Sequence, residues 1–399
     1  MFIIEILFIA FFGGSASYVL FFSAVAWFYK RSAAVSEGGP TTRFAILIPA
    51  YKEDGVIIPV SESMLALDYP QDLYDVYVIA DQLQPETMDA LGNLDVKVVE
   101  VKFEKSTKTK SLNYCLEQMD TAQYDMVLIS DADNILAEDF LRKMDVEAQQ
   151  GHKAIQGRRV AKNLNTDYAV LDGASEIINN HIFRKGPNAI GLSASLIGSG
   201  MAFDTKEVMD ALNEINAVGG FDKVLQLKIL EKGNVIRYVE DALVFDEKVE
   251  SADNFKNQRR RWLSSQYKYL GKFFGKGVGQ LFKGNFDYFN IAILHNLFLP
   301  RVISLGVLFV LAVLGVLLRD FLVVNFWVWP AFFAMYAFAL AIALPRRFYG
   351  KKLLSSLVAL PGAFLNMFLL LFRLKGADKT FIHTKHSQAN VDNDMFTKK

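Results

Sequence analysis

Apolar residues gather at the two ends of the chain, and between them short apolar runs alternate with polar, helix-patterned stretches. Residues 2 to 29 carry a single charge, Glu5, and are long enough to cross ~30 Å of hydrocarbon as one helix. They lack the basic start and small-residue cleavage site of a signal peptide and end at Lys30-Arg31, so a retained anchor is expected. Residues 302 to 318 and 321 to 344 are two further spans, joined through Arg319-Asp320 and therefore expected as a hairpin. The stretch 353 to 372 is apolar enough to span, but Pro361-Gly362 interrupts it, so crossing the bilayer and lying in its interface both stay open.

In the middle, Arg43 to Pro49, Val76 to Ala80, Val96 to Val101 and Met126 to Ile129 read as strands, with helical stretches after Gly55 and over Thr109 to Met119. Strands alternating with helices predict an α/β domain with a parallel, doubly wound sheet. Such sheets bind ligands beyond the carboxyl ends of their strands, where Tyr51, Asp81 and Asp131-Ala132-Asp133 fall. After residue 150 the pattern loosens into a small-residue loop at Gly198 to Phe203, a helix over 222 to 231, and strands at Asn234 to Tyr238 and Ala242 to Phe245. Residues 264 to 285 mix Lys with Phe, Tyr and Leu and are expected on an anionic membrane surface.

Composition adds limits. The chain has 399 residues and no net charge, which leaves no electrostatic argument for nucleic-acid binding. The single Cys115 excludes an intrachain disulfide and agrees with a reducing compartment. Lys30, Arg31, Arg346, Arg347, Lys351 and Lys352 flank the spans and put those loops, with the central region, in the cytoplasm. Arg373, Lys375 and Lys379 favour the same side for the tail, whose His383 and His386 either approach substrate or metal or belong to a disordered end.

Candidate chemistry sits in polar islands, and each has a plainer alternative. Asp131 and Asp133 at a strand end form a platform for Mg2+ or Mn2+ carrying a diphosphate, or an Asp-Asn turn capping a helix at 137 to 149. Asp81 accepts from a base or ribose, or caps a turn. Lys105, Lys108 and Lys110 neutralise a diphosphate, or are a solvated helix start. Gln258-Arg259-Arg260-Arg261-Trp262 is a guanidinium clamp on a leaving diphosphate with an indole for a sugar ring, or a juxtamembrane lipid anchor.

The order of these islands changes the weighing, because the plain alternatives do not predict one another. Ile48 to Glu53, Asp81, Lys110 to Asn113, Asp131-Ala132-Asp133, Gly198 to Phe203, Asp222 and Gln258 to Trp262, set between membrane segments, resemble a membrane-integrated family 2 glycosyltransferase. Cellulose, chitin and hyaluronan synthases are related to that family. The resemblance spans residues 40 to 375 and implies a GT-A (Rossmann-like) domain that transfers a sugar, with inversion, from a nucleotide sugar, usually a UDP-sugar. It implies that Tyr51, Glu53 and Asp81 hold the nucleoside, Lys110 and Asp131 the ribose and diphosphate, and Asp133 the metal. Gln258, Arg261 and Trp262 would bind the diphosphate and roof the acceptor site, and Asp222 would be the general base.

Two departures lie on the acceptor side: Gly220-Phe221-Asp222-Lys223 lacks the acid usually found before the base, and Asp204 stands where an arginine is common. The expected acceptor is a growing polysaccharide at the membrane. Single addition to a lipid is the alternative, and a catalytically degenerate nucleotide-binding regulator the third reading. With three or four spans, a polymer channel would need an oligomer or a partner subunit. The expected organisation is an anchor at 1–31, a cytoplasmic GT-A domain at 32–263, an amphipathic interface segment at 264–300 and a transmembrane hairpin at 301–345. An interfacial, re-entrant or transmembrane segment at 346–375 and a tail at 376–399 follow, making an integral protein of a bacterial inner (plasma) membrane.

Overall fold

The computed structural model describes residues 2–31, 38–215, 219–250, 252–373, 391 and 393; His383 and His386 lie outside them. The chain divides into two units. One comprises residues 1–29, 165–191 and 249–377, and the other residues 30–164, 192–248 and 378–399.

The second unit is built on an eight-stranded sheet. Its strands are β1 (Phe44–Tyr51), β2 (Tyr74–Asp81), β3 (Lys97–Val101), β4 (Met126–Ile129), β5 (Ile135–Leu136), β6 (Ala154–Ala161), β7 (Met201–Asp204) and β8 (Ile236–Asp246). They lie in the order β3-β2-β1-β4-β7-β6-β8-β5. The half running from β3 to β4 is parallel, as the alternating strands and helices predict. Consecutive residues are fully buried there, Phe44 through Ile48, Val78 with Ile79 and Val127 with Leu128, the pattern of strands covered on both faces.

The other half is mixed: β7 runs antiparallel to both β4 and β6, while β6 and β8 are parallel. Strand β6 carries Gln156, Arg158 and Arg159, and these polar positions hid it in the sequence. The two strands expected at Asn234 to Tyr238 and Ala242 to Phe245 are one strand, β8. Its register against β6 jumps from Val239 at Gly157 to Leu243 at Arg158, so Glu240, Asp241 and Ala242 bulge out where a break was expected.

The first unit is helical. Two of its helices, Phe2–Phe28 and Lys351–Leu370, are long and apolar enough to cross a membrane, each with mean hydropathy 1.9. Pro361 does not break the second, because it falls at the start of the α-helical turns Leu360–Leu370 after a 3-10 turn over Leu357–Ala359. The expected hairpin differs in detail. Phe286–Leu297 and Arg301–Leu317 form a pair bent by 58°, and the following helix is only Val328–Ala343. Residues before Val328 are held out of it because the Val323 and Val324 N–H groups donate to the Glu5 carboxylate at 3.0 and 3.1 Å. That contact explains the one charge of the first apolar segment. The basic, aromatic stretch and the Gln258 to Trp262 motif share a single helix, Ala252–Phe282.

Candidate active site

The parallel strands end side by side, which fixes the first half of the site. Tyr51 and Asp81 are register partners, and the Lys52 N–H donates to the Asp81 carbonyl at 3.1 Å. Both strands turn away through residues forced into left-handed backbone, Lys52 and Gln82, each with φ of 58°. Two side-chain-bearing residues in that region are strain kept at a cost, and such strain concentrates at binding sites.

The Asp81 side chain is 1% exposed, and neither carboxylate oxygen has a hydrogen-bond partner. Burial pushes its carboxyl above the usual range, offset in part by the nearby Ser106 hydroxyl and Lys52 ammonium. The buried hydroxyls of Ser106, Thr109 and Ser130 are likewise unpartnered. A buried orphan of this kind normally costs a few kcal/mol, so a run of them marks where a polar ligand completes the bonding. Tyr51 and Glu53 are half-buried beside this edge, and the Glu53 carbonyl starts the helix Ile57–Leu65 by accepting from Val56 and Ile57.

We expect Asp81→Asn to raise the unfolding temperature of the ligand-free protein by removing a buried charge that Ser106 and Lys52 offset only in part. The same change should weaken nucleotide binding about tenfold or more through loss of a charge-assisted bond. Thermal unfolding and nucleotide titration of the same sample check both signs. An unchanged affinity would remove Asp81 from the nucleoside site.

The second half of the site is the turn after β4. The Asn134 N–H closes it on the Asp131 carbonyl at 3.1 Å, and β5 follows at once, so these acids do not cap the later helix Phe140–Gln149. The Ser199 hydroxyl accepts from the Asp131 N–H at 2.9 Å and donates to Asn134 Oδ1 at 2.5 Å. Asn134 Nδ2 donates to Asp133 Oδ1 at 3.2 Å and Asp246 Oδ1 at 3.3 Å. Beneath the turn the fully buried Lys162 donates to the Asp133 carbonyl at 2.5 Å. Burial pushes its ammonium down, and Asp133, Glu247 and Asp246 oppose that.

Lys108, not Lys110, meets Asp131. Thr107 caps the helix Lys108–Gln118 and so sets Lys108 at its first position, from which Nζ donates to Asp131 and to the Gly198 carbonyl, the latter at 2.7 Å. Lys110 is exposed and donates to the Lys105 carbonyl at 3.1 Å. The loop carrying Gly198, Ser199 and Gly200 is held from within by Gln156. Its amide donates to the Ser199 and Gly200 carbonyls at 3.0 and 3.1 Å and accepts from the Ile197 N–H at 3.1 Å. Gly200 has φ of +59°, and a Cβ there would meet Val244 at 2.1 Å, so only glycine fits.

Asp222 adjoins this group through its neighbour: the Phe221 ring lies 5.1 Å from Lys108 Nζ. Gly220, left-handed at φ 66°, takes the cap position of the helix Phe221–Glu231, so Asp222 is not the residue that caps it. Its half-buried carboxylate is adjacent to Lys223, whose ammonium burial pushes down and Asp222 pulls up. Asp204, by contrast, is structural, because it caps Thr205–Asn213 by accepting from the Glu207 N–H at 3.0 Å.

Gln258, Arg261 and Trp262 belong to the helical unit. Gln258 Oε1 is buried without a partner. Arg261 is half-buried, and burial pushes its guanidinium below the usual range. The Trp262 ring lies 4.5 Å from the Arg259 guanidinium.

Among the described residues no group of three or more His, Cys, Asp or Glu is arranged to hold a metal ion. Asp133 offers hard carboxylate oxygen from a buried, well-tied turn. This donor set fits Mg2+ or Mn2+, which take one or two protein carboxylates and fill their shell with phosphate oxygens and water.

A family model described as "Glycosyltransferase like family 2" matches residues 40–265, more than half of the chain. The chain is 24% identical over 238 residues to a beta-monoglucosyldiacylglycerol synthase of Synechocystis sp., covering 57% of this chain and 48% of that protein. It is 26% identical over 234 residues to the synthase of the same name from Trichormus variabilis, covering 56% and 48%. The chain thus spans about half the length of these curated relatives. Among solved structures, a mannosyltransferase from Pyrobaculum calidifontis in complex with GDP-Man and Mn2+ superposes with a TM-score of 0.51 at 16% identity. That match covers 89% of this chain and 96% of the other, and shows a shared GT-A fold.

Proposed function

The chain belongs to glycosyltransferase-like family 2, and on that premise we propose that it moves one sugar, with inversion, from a nucleoside diphosphate sugar to a lipid acceptor. The observation that carries this lies at the carboxyl ends of the parallel strands, where unpartnered Asp81, Ser106, Thr109 and Ser130 adjoin the acidic turn of Asp131 and Asp133 and, through Lys108, the helix that bears Asp222.

Asp81 and the orphaned hydroxyls bind the nucleoside. Lys108, held between Asp131 and the Gly198 carbonyl, fixes the far side of the diphosphate cradle. Asp133, Asp131 and the diphosphate oxygens would hold Mg2+ or Mn2+, which supplies charge neutralisation when bound. Asp222 takes the proton from the acceptor hydroxyl as its oxygen bonds to the anomeric carbon and the bond to the β-phosphate oxygen breaks. Arg261 steadies the charge that leaves with the nucleoside diphosphate.

The relatives' names favour the lipid acceptor over the growing polysaccharide, and two helices able to cross a membrane keep such an acceptor close. Detergent-solubilised full chain with radiolabelled nucleotide sugars and diacylglycerol should place label in the lipid fraction. Label in polymer alone would return the polysaccharide reading, and no label with any donor would sink the transferase proposal. Chelation should abolish nucleoside diphosphate release, and added Mn2+ or Mg2+ should restore it. Full activity in chelator would remove the metal role of Asp133.

A further inference from the structure

The helical unit encloses a charged cluster that the transfer reaction does not use. The helix Asp167–Asn180 presents Asp172, Ser175, Glu176 and Asn179 at three- and four-residue spacing, one polar stripe on an otherwise apolar surface. Three arginines converge on it. Arg184 donates to Asn180 Oδ1 at 2.8 Å and Glu176 Oε1 at 3.2 Å, and Arg259 pairs with Asp172. Arg301 donates to Asn179 Oδ1 and, at 3.1 Å each, to the Ser175 carbonyl and hydroxyl. Arg301 is within electrostatic reach of Arg184, Arg259 and Glu176, so these groups form one cluster.

The charge of Arg301 has no carboxylate partner. Its acceptors, Asn179 Oδ1 and the Ser175 carbonyl and hydroxyl, are all neutral, while the two carboxylates described in the cluster, Glu176 and Asp172, pair with Arg184 and Arg259. Donors are in excess as well. Arg301 uses at most three of its five N–H groups, and the Nε–H of Arg259, a residue 9% exposed, is buried with no acceptor. Arg301 is only partly buried, so its charge is reachable.

The backbone is shaped around the same point. Arg301 is the first residue after the 58° bend between Phe286–Leu297 and Arg301–Leu317, at a helix N-terminus whose free N–H groups favour an anion. A π-helical turn, His181–Lys185, meets it, and a second, Asn290–Leu294, leads into His295. The first supplies Arg184 and the Phe183 ring that lies 5.5 Å from the Arg301 guanidinium, and His295, just after the second, packs 4.6 Å from Phe183. Irregular turns of this type collect at functional sites. Ionisable groups among apolar helices are costly to keep without a task.

We propose that this cluster binds a phosphate group, which sits against Arg301 at the start of Arg301–Leu317 and supplies the missing negative charge. Phosphate suits the arrangement better than a carboxylate because its oxygens serve several guanidinium donors at once. The group arrives either on an anionic phospholipid or as free phosphate. The site is independent of the sugar-transfer reading, since its occupation needs no nucleotide sugar.

The test is the unfolding temperature of full-length protein in a phosphate-free maltoside detergent without donor. Dioleoylphosphatidylglycerol, dioleoylglycerol and inorganic phosphate are added separately. At saturation the phosphate-bearing ligand should raise the temperature by about 5 °C or more. Arg301→Gln strands no carboxylate, because Arg301 pairs with none, and should abolish the shift. Arg301→Lys keeps the charge but loses the fork; it should raise the half-saturating concentration about tenfold and serves if Arg301→Gln does not fold. A shift with phosphatidylglycerol alone identifies the lipid source, and a shift with inorganic phosphate as well shows that the bare group suffices. An equal shift with dioleoylglycerol, a shift that survives Arg301→Gln, or none in any arm would overturn the proposal.

Discussion

Replacing Asp222 by asparagine is expected to lower sugar transfer at least ~10²-fold, the scale of losing a general base. Folding and nucleotide affinity should stay near wild type, because the structure separates the two roles a carboxylate has at this position. Gly220 occupies the cap, so asparagine removes only a favourable interaction with the helix dipole, about 0.3–1 kcal/mol. Asparagine also keeps the shape beside Lys223 but cannot accept the acceptor's proton. Nucleotide titration and initial transfer rates on the same preparation separate the effects. Near-normal transfer would exclude Asp222 as base. Asp204 would not replace it, since it caps a helix, nor would Glu240, which pairs with Arg31 at 3.4 Å and Arg158 at 3.8 Å. Asp241, in the β8 bulge, would then be the next carboxylate to test.

Arg261→Ala should raise the barrier by roughly 2–4 kcal/mol while changing donor affinity far less, as removal of a transition-state charge stabiliser does. The opposing reading, a lipid-headgroup anchor, calls for a solvated guanidinium. Arg261 is half-buried, and burial pushes its guanidinium down, which is unlike a group resting in headgroup water. Its neighbour Arg259 has a different employment, paired with Asp172 and stacked on Trp262. Single-turnover rates against donor concentration, with membrane retention measured alongside, discriminate the readings. A mutant that leaves the membrane fraction but keeps its specific activity would make Arg261 an anchor.

What the sequence disclosed follows from how each feature writes itself into residue types. The strands at Arg43 to Pro49 and Val76 to Ala80 were legible because both faces are buried and the runs are almost wholly apolar. Strand β6 was not, since Gln156, Arg158 and Arg159 serve the loop and neighbouring acids from inside a sheet. Asp81 and the Asp131-Ala132-Asp133 turn stood out as acids ending apolar runs. Lys105, Lys108 and Lys110 are equal candidates by residue type, and the resemblance points to Lys110; only the Thr107 cap shows that Lys108 is the lysine that faces Asp131. Lys162 gives no signal, because it follows that hidden strand and reads as one more lysine of a polar stretch. Glu5 reads as an isolated charge in an apolar helix because its donors, two N–H groups, lie more than three hundred positions away.

The placing of β7 bears on how the protein is made. As the chain leaves the ribosome, β1 to β4 can assemble in order, yet the open side of β4 waits for β7, 72 residues after Ile129 at Met201. Strand β6 emerges earlier than both of its sheet neighbours, β7 and β8, and between β6 and β7 the chain first builds residues 165–191, which belong to the helical unit. At ~5–20 residues per second, the nascent domain shows an unpaired apolar strand edge for several seconds. Overproduction should therefore fail through aggregation of stalled nascent chains well before the finished enzyme becomes insoluble, and slower translation across 130–200 would worsen it.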